Sequence, residues 1–174
     1  MSVFKKVLAA AALAVATGAL PAHATTIFDF TYSGSGVSGY GTLSAISEGG
    51  GEYLATSGTD HATGGSVNGT LSLYPNPNGT SPANLAVSGG TFTYDDLLFP
   101  TSNPQVDLYG LLFTNGHSDG LNIYATGAST YFEIDNIAAT ANSITFTAVP
   151  EPTSLALLGA GLLGLGMVRR PRRG

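Results

Sequence analysis

Between residues 25 and 148 apolar and polar side chains alternate with period two, and nowhere at the spacing of a helix face. The alternation is clearest over 143–148, where Ile144, Phe146 and Ala148 share one face and Ser143, Thr145 and Thr147 the other. Leu71 and Leu73 oppose Thr70 and Ser72, and Phe28, Phe30 and Tyr32 oppose Asp29 and Thr31. Residues 106–113 are apolar on both faces and predict a central strand. Further strands are predicted over 40–47, 52–57, 88–94, 121–125 and 130–135. In the last, Phe132 and Ile134 take the buried side and Glu133 and Asp135 the solvated one. Turn signals separate these runs: Gly49-Gly50-Gly51, Gly64-Gly65, Asn78-Gly79, Asn115-Gly116 and Asp119-Gly120. Proline stiffens two longer loops, 74–82 and 99–104, and keeps them out of a central strand. Nine short strands with frequent turns predict an all-β fold, a single antiparallel β-sandwich or barrel-like domain.

Two segments break the alternation. Residues 1–24 read as a signal peptide: Lys5 and Lys6, an apolar run over 7–16, helix breakers Gly18 and Pro21, then Ala22-His23-Ala24. Small Ala22 and Ala24 suit signal peptidase and leave Thr25 as the new N-terminus. At the other end, 149–174 has three parts in order. Val149-Pro150-Glu151-Pro152 stays extended, because proline lacks an N–H and disfavours a helical residue before it. Residues 153–168 carry no charge and predict a transmembrane helix of about 24 Å, short of a bilayer core of about 30 Å but within reach of snorkelling and local thinning. Arg169, Arg170, Arg172 and Arg173 close the chain as a basic stop on the cytoplasmic side. The body expected between the ends is 25–148.

The tail, with its Val149-Pro150-Glu151-Pro152 block, the glycine-punctuated run from Leu157 to Leu165 and the closing arginines, resembles the PEP-CTERM sorting signal of Gram-negative bacteria. The resemblance implies a membrane enzyme, exosortase, as partner, with processing at or near the Pro-Glu-Pro block. It also implies an inner-membrane-anchored precursor, then cell-surface or extracellular delivery, often with exopolysaccharide or biofilm.

Charge sharpens the picture of the body. All six Lys and Arg lie in the two end segments, so residues 25–148 hold ten acidic side chains and no Lys or Arg, a net charge of −10. Such a surface cannot neutralise phosphates, which excludes nucleic acid and anionic lipid as natural partners of the body. With no cysteine, no disulfide framework assists folding.

Several motifs suggest chemistry. Gly34-Ser35-Gly36-Val37-Ser38-Gly39 fits a dinucleotide fingerprint, but Tyr40-Gly41-Thr42-Leu43 continues as a strand where a helix is required, so a hairpin is expected and no cofactor. His117-Ser118-Asp119 is too compact in sequence for a hydrolase triad and reads as a polar turn. Glu133 and Asp135, about 7 Å apart on one strand face, have a spacing that glycosidases use. Asp95, Asp96 and Asp119 are the acidic positions where calcium is conceivable, though no EF-hand loop is present. His61 and His117 lack the further ligands that zinc requires, and no metal is assigned. All eight tyrosines lie in the body and offer stacking faces for sugars. The leading expectation is an exported, exosortase-processed surface or matrix protein without catalytic activity. The alternatives are a carbohydrate-binding module, expected to show a row of exposed tyrosines, and a secreted hydrolase using Glu133 and Asp135, expected to hold both in a pocket.

Overall fold

A computed structural model describes residues 24–116 and 119–152. The expected signal peptide up to His23, His117 and Ser118, the apolar run of the tail and its arginines lie outside them.

The period-two pattern becomes strands throughout, and the described residues contain no helix. β1 (Thr25–Gly34) and β2 (Val37–Gly49) form a hairpin through Ser35 and Gly36, both at positive φ (47° and 82°). That mirror-image turn matches the twist of paired strands, so the glycine motif at 34–39 is a hairpin as expected. β3 (Glu52–Thr63) follows the triple-glycine turn, then β4 (Gly69–Leu73). After a 37-residue insertion, 74–110, come β8 (Leu111–Thr114), β9 (Gly120–Gly127), β10 (Thr130–Asp135) and β11 (Ala141–Pro150). These eight strands close on themselves in the order β1-β2-β3-β4-β8-β9-β10-β11, with β11 returning to β1, and every pairing is antiparallel. The domain is an up-and-down barrel, not a sandwich. Closure removes the free edges that an open sheet would expose.

Within the insertion, β5 (Ala83–Val87) and β6 (Gly90–Tyr94) form a separate hairpin, and β7 (Leu97–Leu98) adds to β3 beside Tyr53 and Leu54. The hairpin lies on the barrel's outside: Ala83, Phe92 and Tyr94 cluster with Leu112, and Ile134 packs against them.

Inside, Phe28, Phe30, Leu43, Leu71, Leu111, Phe113, Leu121, Ile123, Ile144 and Phe146 fill the barrel, as expected when eight strands leave room for side chains but no channel. Two glycines of β2 make space for rings from β1. A Cβ on Gly39 would stand 2.4 Å from the Tyr32 ring, and one on Gly41 would meet Phe30 and the Thr59 carbonyl.

The structure corrects two expectations. Residues 106–113 are not one strand. Asp107 Oδ1 accepts the N–H groups of Tyr109 (2.8 Å) and Gly110 (3.1 Å), and Gly110 has φ 68°, so the chain turns and the strand begins at Leu111. Residues 130–135 do form a strand, but with its faces reversed. Tyr131, Glu133 and Asp135 are buried, while Phe132 stacks on Tyr124 outside and Ile134 meets the hairpin. The phase is fixed by register, since a one-residue slip would send Tyr131, opposite Ile144, out of the core.

Candidate functional site

Three places hold the chemically notable residues: the barrel interior, the floor of the insertion and the seam where the barrel closes.

In the interior, β1, β3 and β10 aim Tyr32, Asp60 and Glu133 inward, and both carboxyl groups are completely shielded from solvent. The Tyr32 hydroxyl donates to Asp60 Oδ2 (3.0 Å), and Asn142 Nδ2 donates to Glu133 Oε2 (2.8 Å). The other oxygens, Asp60 Oδ1 and Glu133 Oε1, have no hydrogen-bond partner. Burial pushes the Asp60 carboxyl up to about 7; the Tyr32 bond opposes this and the Glu133 charge adds to it. Glu133 is raised by burial as well, against the Asn142 bond and with the Asp135 charge. Burial, then Asp60, also holds the Tyr32 phenol far above its usual range. No Lys or Arg lies among the described residues to offset these groups, so burial favours their protonated, neutral forms.

Asp135 sits above this cluster at the rim. Its Oδ1 accepts from Ile137 (2.9 Å) and Ala138 (2.6 Å) and its Oδ2 from Ser66 (3.1 Å), which ties the β10–β11 turn to the β3–β4 loop. An open polar pocket of about 260 Å³ lies here, lined by Ser35, Gly64, Ser66, Asp135, Thr140 and Asn142 among others. Glu133 and Asp135 thus do not form an accessible pair: one is sealed in the core and the other is occupied by three backbone amides.

Asp95 and Asp96 lie at the floor of the insertion. Asp95 Oδ1 accepts from Leu97 (3.2 Å) and Asp96 Oδ1 from Leu112 (3.0 Å). Burial raises both, with the neighbouring Asp107 adding to Asp95, and Asp96 is pushed up to about 8. Asp119 accepts instead from Asn115 Nδ2 (2.8 Å). Among the described residues no group of three or more His, Cys, Asp or Glu is placed to hold a metal ion. His61 is on the outside, stacked on exposed Tyr40 at 4.9 Å and bonded to Thr70. The exposed tyrosines are Tyr40 on β2, Tyr74 after β4 and Tyr109 before β8, three separate elements and not one row.

At the seam, β11 pairs with β1 from Ser33↔Thr145 to Phe28↔Pro150, and the Glu151 N–H continues the ladder to the Ile27 carbonyl (2.8 Å). Val149, Pro150, Glu151 and Pro152 are exposed, yet Val149 and Pro150 belong to the strand and Glu151 adds one more ladder bond. β10 accompanies β11 only as far as Ile144. Beyond that, Gln105 covers the free edge: Ala148 N–H donates to its Oε1 (2.9 Å), and its Nε2 donates to the Ala148 carbonyl (3.0 Å). Successive strand N–H groups point to opposite sides. Glu151 therefore uses its donor on β1, while the prolines at 150 and 152 place their missing donors on the side with no strand. Nothing in the sequence foretold the Gln105 clamp. The inward Asp60 could have been found from its phase with Ala62.

Residues 148–173 match the PEP-CTERM protein-sorting motif, so the resemblance of the tail is shown. The matched stretch overlaps the end of β11. No curated protein and no solved structure matches the chain.

Proposed function

We propose that this chain is an exported protein of the cell surface or extracellular matrix, held first by its tail in the inner membrane, processed there by exosortase, and active afterwards as a non-catalytic β-barrel. The observation that carries the reading is the match of residues 148–173 to the protein-sorting motif. The signal-peptide pattern of residues 1–24, with a signal peptidase site after Ala24, supports export. The acidic, cysteine-free body suits an extracellular setting, and association with exopolysaccharide follows from the company such tails keep. The non-catalytic reading draws support from Glu133 and Asp135, whose carboxylates are occupied or shut away.

The test is the fate of the tail in a host that carries exosortase. Exported wild-type protein should lack Arg169, Arg170, Arg172 and Arg173. A variant with Pro150, Glu151 and Pro152 changed to alanine should accumulate in the membrane with the tail attached. Exported wild-type protein whose last peptide still ends in Arg173-Gly174 would refute the reading.

A further inference from the structure

The sorting motif is also part of the barrel's closing strand, and this limits where the tail can be cut. We infer that processing spares every bond up to Glu151, so that the mature protein keeps Val149, Pro150 and Glu151 and its barrel is whole. The inference rests on the processing reading above and adds a boundary to it.

A peptidase takes its substrate as an extended segment whose backbone N–H and C=O groups are free to pair with the enzyme. From Thr145 to Glu151 the strand lies in register against β1, with alternate residues bonded across the seam: Asp29 faces Val149, Phe28 faces Pro150, and Ile27 accepts from Glu151. Peeling this end of β11 away breaks these rungs and takes Pro150 from its place opposite Phe28, which is completely buried and meets the Tyr53 ring edge-on at 5.0 Å. On the opposite edge Gln105 holds Ala148 through both of its backbone groups. Gln105 is itself fixed, with its N–H on the Tyr131 hydroxyl (2.9 Å) and its Nε2 also on the Pro100 carbonyl (2.8 Å). Pro152 is the first exposed residue past the last ladder bond. The reaction is peptide hydrolysis: the C–N bond breaks, water's hydroxyl joins the acyl carbon and its proton goes to the leaving amine. A cut at or after the Glu151–Pro152 bond leaves every β1–β11 rung in place. The start of the barrel lies beside this point, since Ile27 and Phe28 follow closely on the expected signal peptidase site after Ala24. Both processing steps therefore converge on one end of the barrel, opposite the polar rim at Asp135.

Two measurements test the boundary. The first is the C-terminal peptide of mature protein from an exosortase host, sequenced by mass spectrometry. The expected peptide contains Glu151. One ending at Pro150 or earlier would overturn the inference while leaving the processing reading intact, and one ending at Gly174 would instead sink the processing reading. The second is limited digestion of the purified full chain with a broad-specificity protease, which probes the seam without exosortase. The resistant core should extend to Glu151 in the wild type. In Gln105→Ala, with its melting transition retained, cleavage within 145–151 should rise several-fold. A wild-type core ending before Val149 would overturn the inference, as would a Gln105→Ala digest identical to the wild type.

Discussion

Raising the pH from 5 to 8 should destabilise the barrel, and Asp60→Asn should remove part of that loss. Folding lifts the Asp60 carboxyl from its ordinary 3.8 to about 7. Between those values the folded barrel keeps a proton that the unfolded chain has released. The stabilising contribution of the neutral acid is fully present below about 4, is lost as pH rises towards 7, and is gone above it. At about 1.4 kcal/mol per pH unit the whole interval amounts to about 4 kcal/mol, of which about 3 falls above pH 5. A domain of this size shifts its melting temperature by roughly 3–5 °C per kcal/mol, so the wild-type change from Asp60 alone is on the order of 10 °C. Glu133, Asp95 and Asp96 are raised by burial too and act in the same direction. Asparagine at 60 is neutral, has nearly the same shape and still accepts from the Tyr32 hydroxyl. Thermal melts by circular dichroism at constant ionic strength should show the wild type falling steadily from pH 5 to 8. Asp60→Asn should fall less and melt above the wild type at pH 8. A wild-type melting temperature that is flat or rising over this window would refute the reasoning. So would an Asp60→Asn variant displaced by the same amount at every pH.

Two further outcomes follow. Gly39→Ala should destabilise by about 1–3 kcal/mol, because its Cβ would stand 2.4 Å from the Tyr32 ring, and the near-ultraviolet tyrosine signal should change with it. Gly36→Ala, whose Cβ meets nothing within 4 Å at φ 82°, should cost only about 1 kcal/mol of backbone strain and leave that signal alone; equal effects from both would discount the ring-packing account. Raising sodium chloride from 10 to 300 mM at pH 7 should raise the melting temperature, since screening weakens repulsion among the ionised acids of a body that holds no Lys or Arg; millimolar calcium stabilising well beyond magnesium at matched ionic strength would show that a specific site had been overlooked.

Much of the fold could be read locally, because a strand half-buried in a barrel wall alternates wherever it lies. The β1, β4 and β11 patterns needed only their own residues. The misreadings have local causes that a hydropathy pattern does not carry. At 106–113 the deciding atom is the Asp107 carboxylate, which turns the chain before Gly110. At 130–135 charge alone favours water for two acids that the barrel buries. The outward position at 134, however, is covered by the β5–β6 hairpin, and Tyr131 is needed inside. Barrel and sandwich strands share the same alternation, so closure was not legible. It depends on β1 meeting β11 across more than a hundred residues. The small side of the closed interior did leave a trace in β2, where Gly39 and Gly41 stand opposite the large side chains of Tyr32 and Phe30.

The tail was legible for the opposite reason: its three parts are contiguous and their order carries the meaning. What no local reading could supply is that the first part has two uses. A Pro-X-Pro triplet removes two donors from one edge of a strand and leaves the donor between them for the other. Here the Glu151 donor completes the β1 ladder, and the proline edge faces the side that β10 has already left. Such an edge cannot recruit a further strand, which is how natural sheets guard exposed ends against edge-to-edge association. The barrel needs that protection at this point, because β11 outruns β10 and, among the described residues, the side chain of Gln105 takes β10's place at Ala148. The same prolines that suit a processing enzyme's extended site therefore also finish the fold. A Pro150→Ala, Pro152→Ala double variant would restore both donors on the open edge while keeping Glu151. On this reasoning it should keep its melting temperature yet self-associate more strongly, and sedimentation velocity on the purified chain reads that directly. Unchanged association would mean that the prolines serve recognition alone.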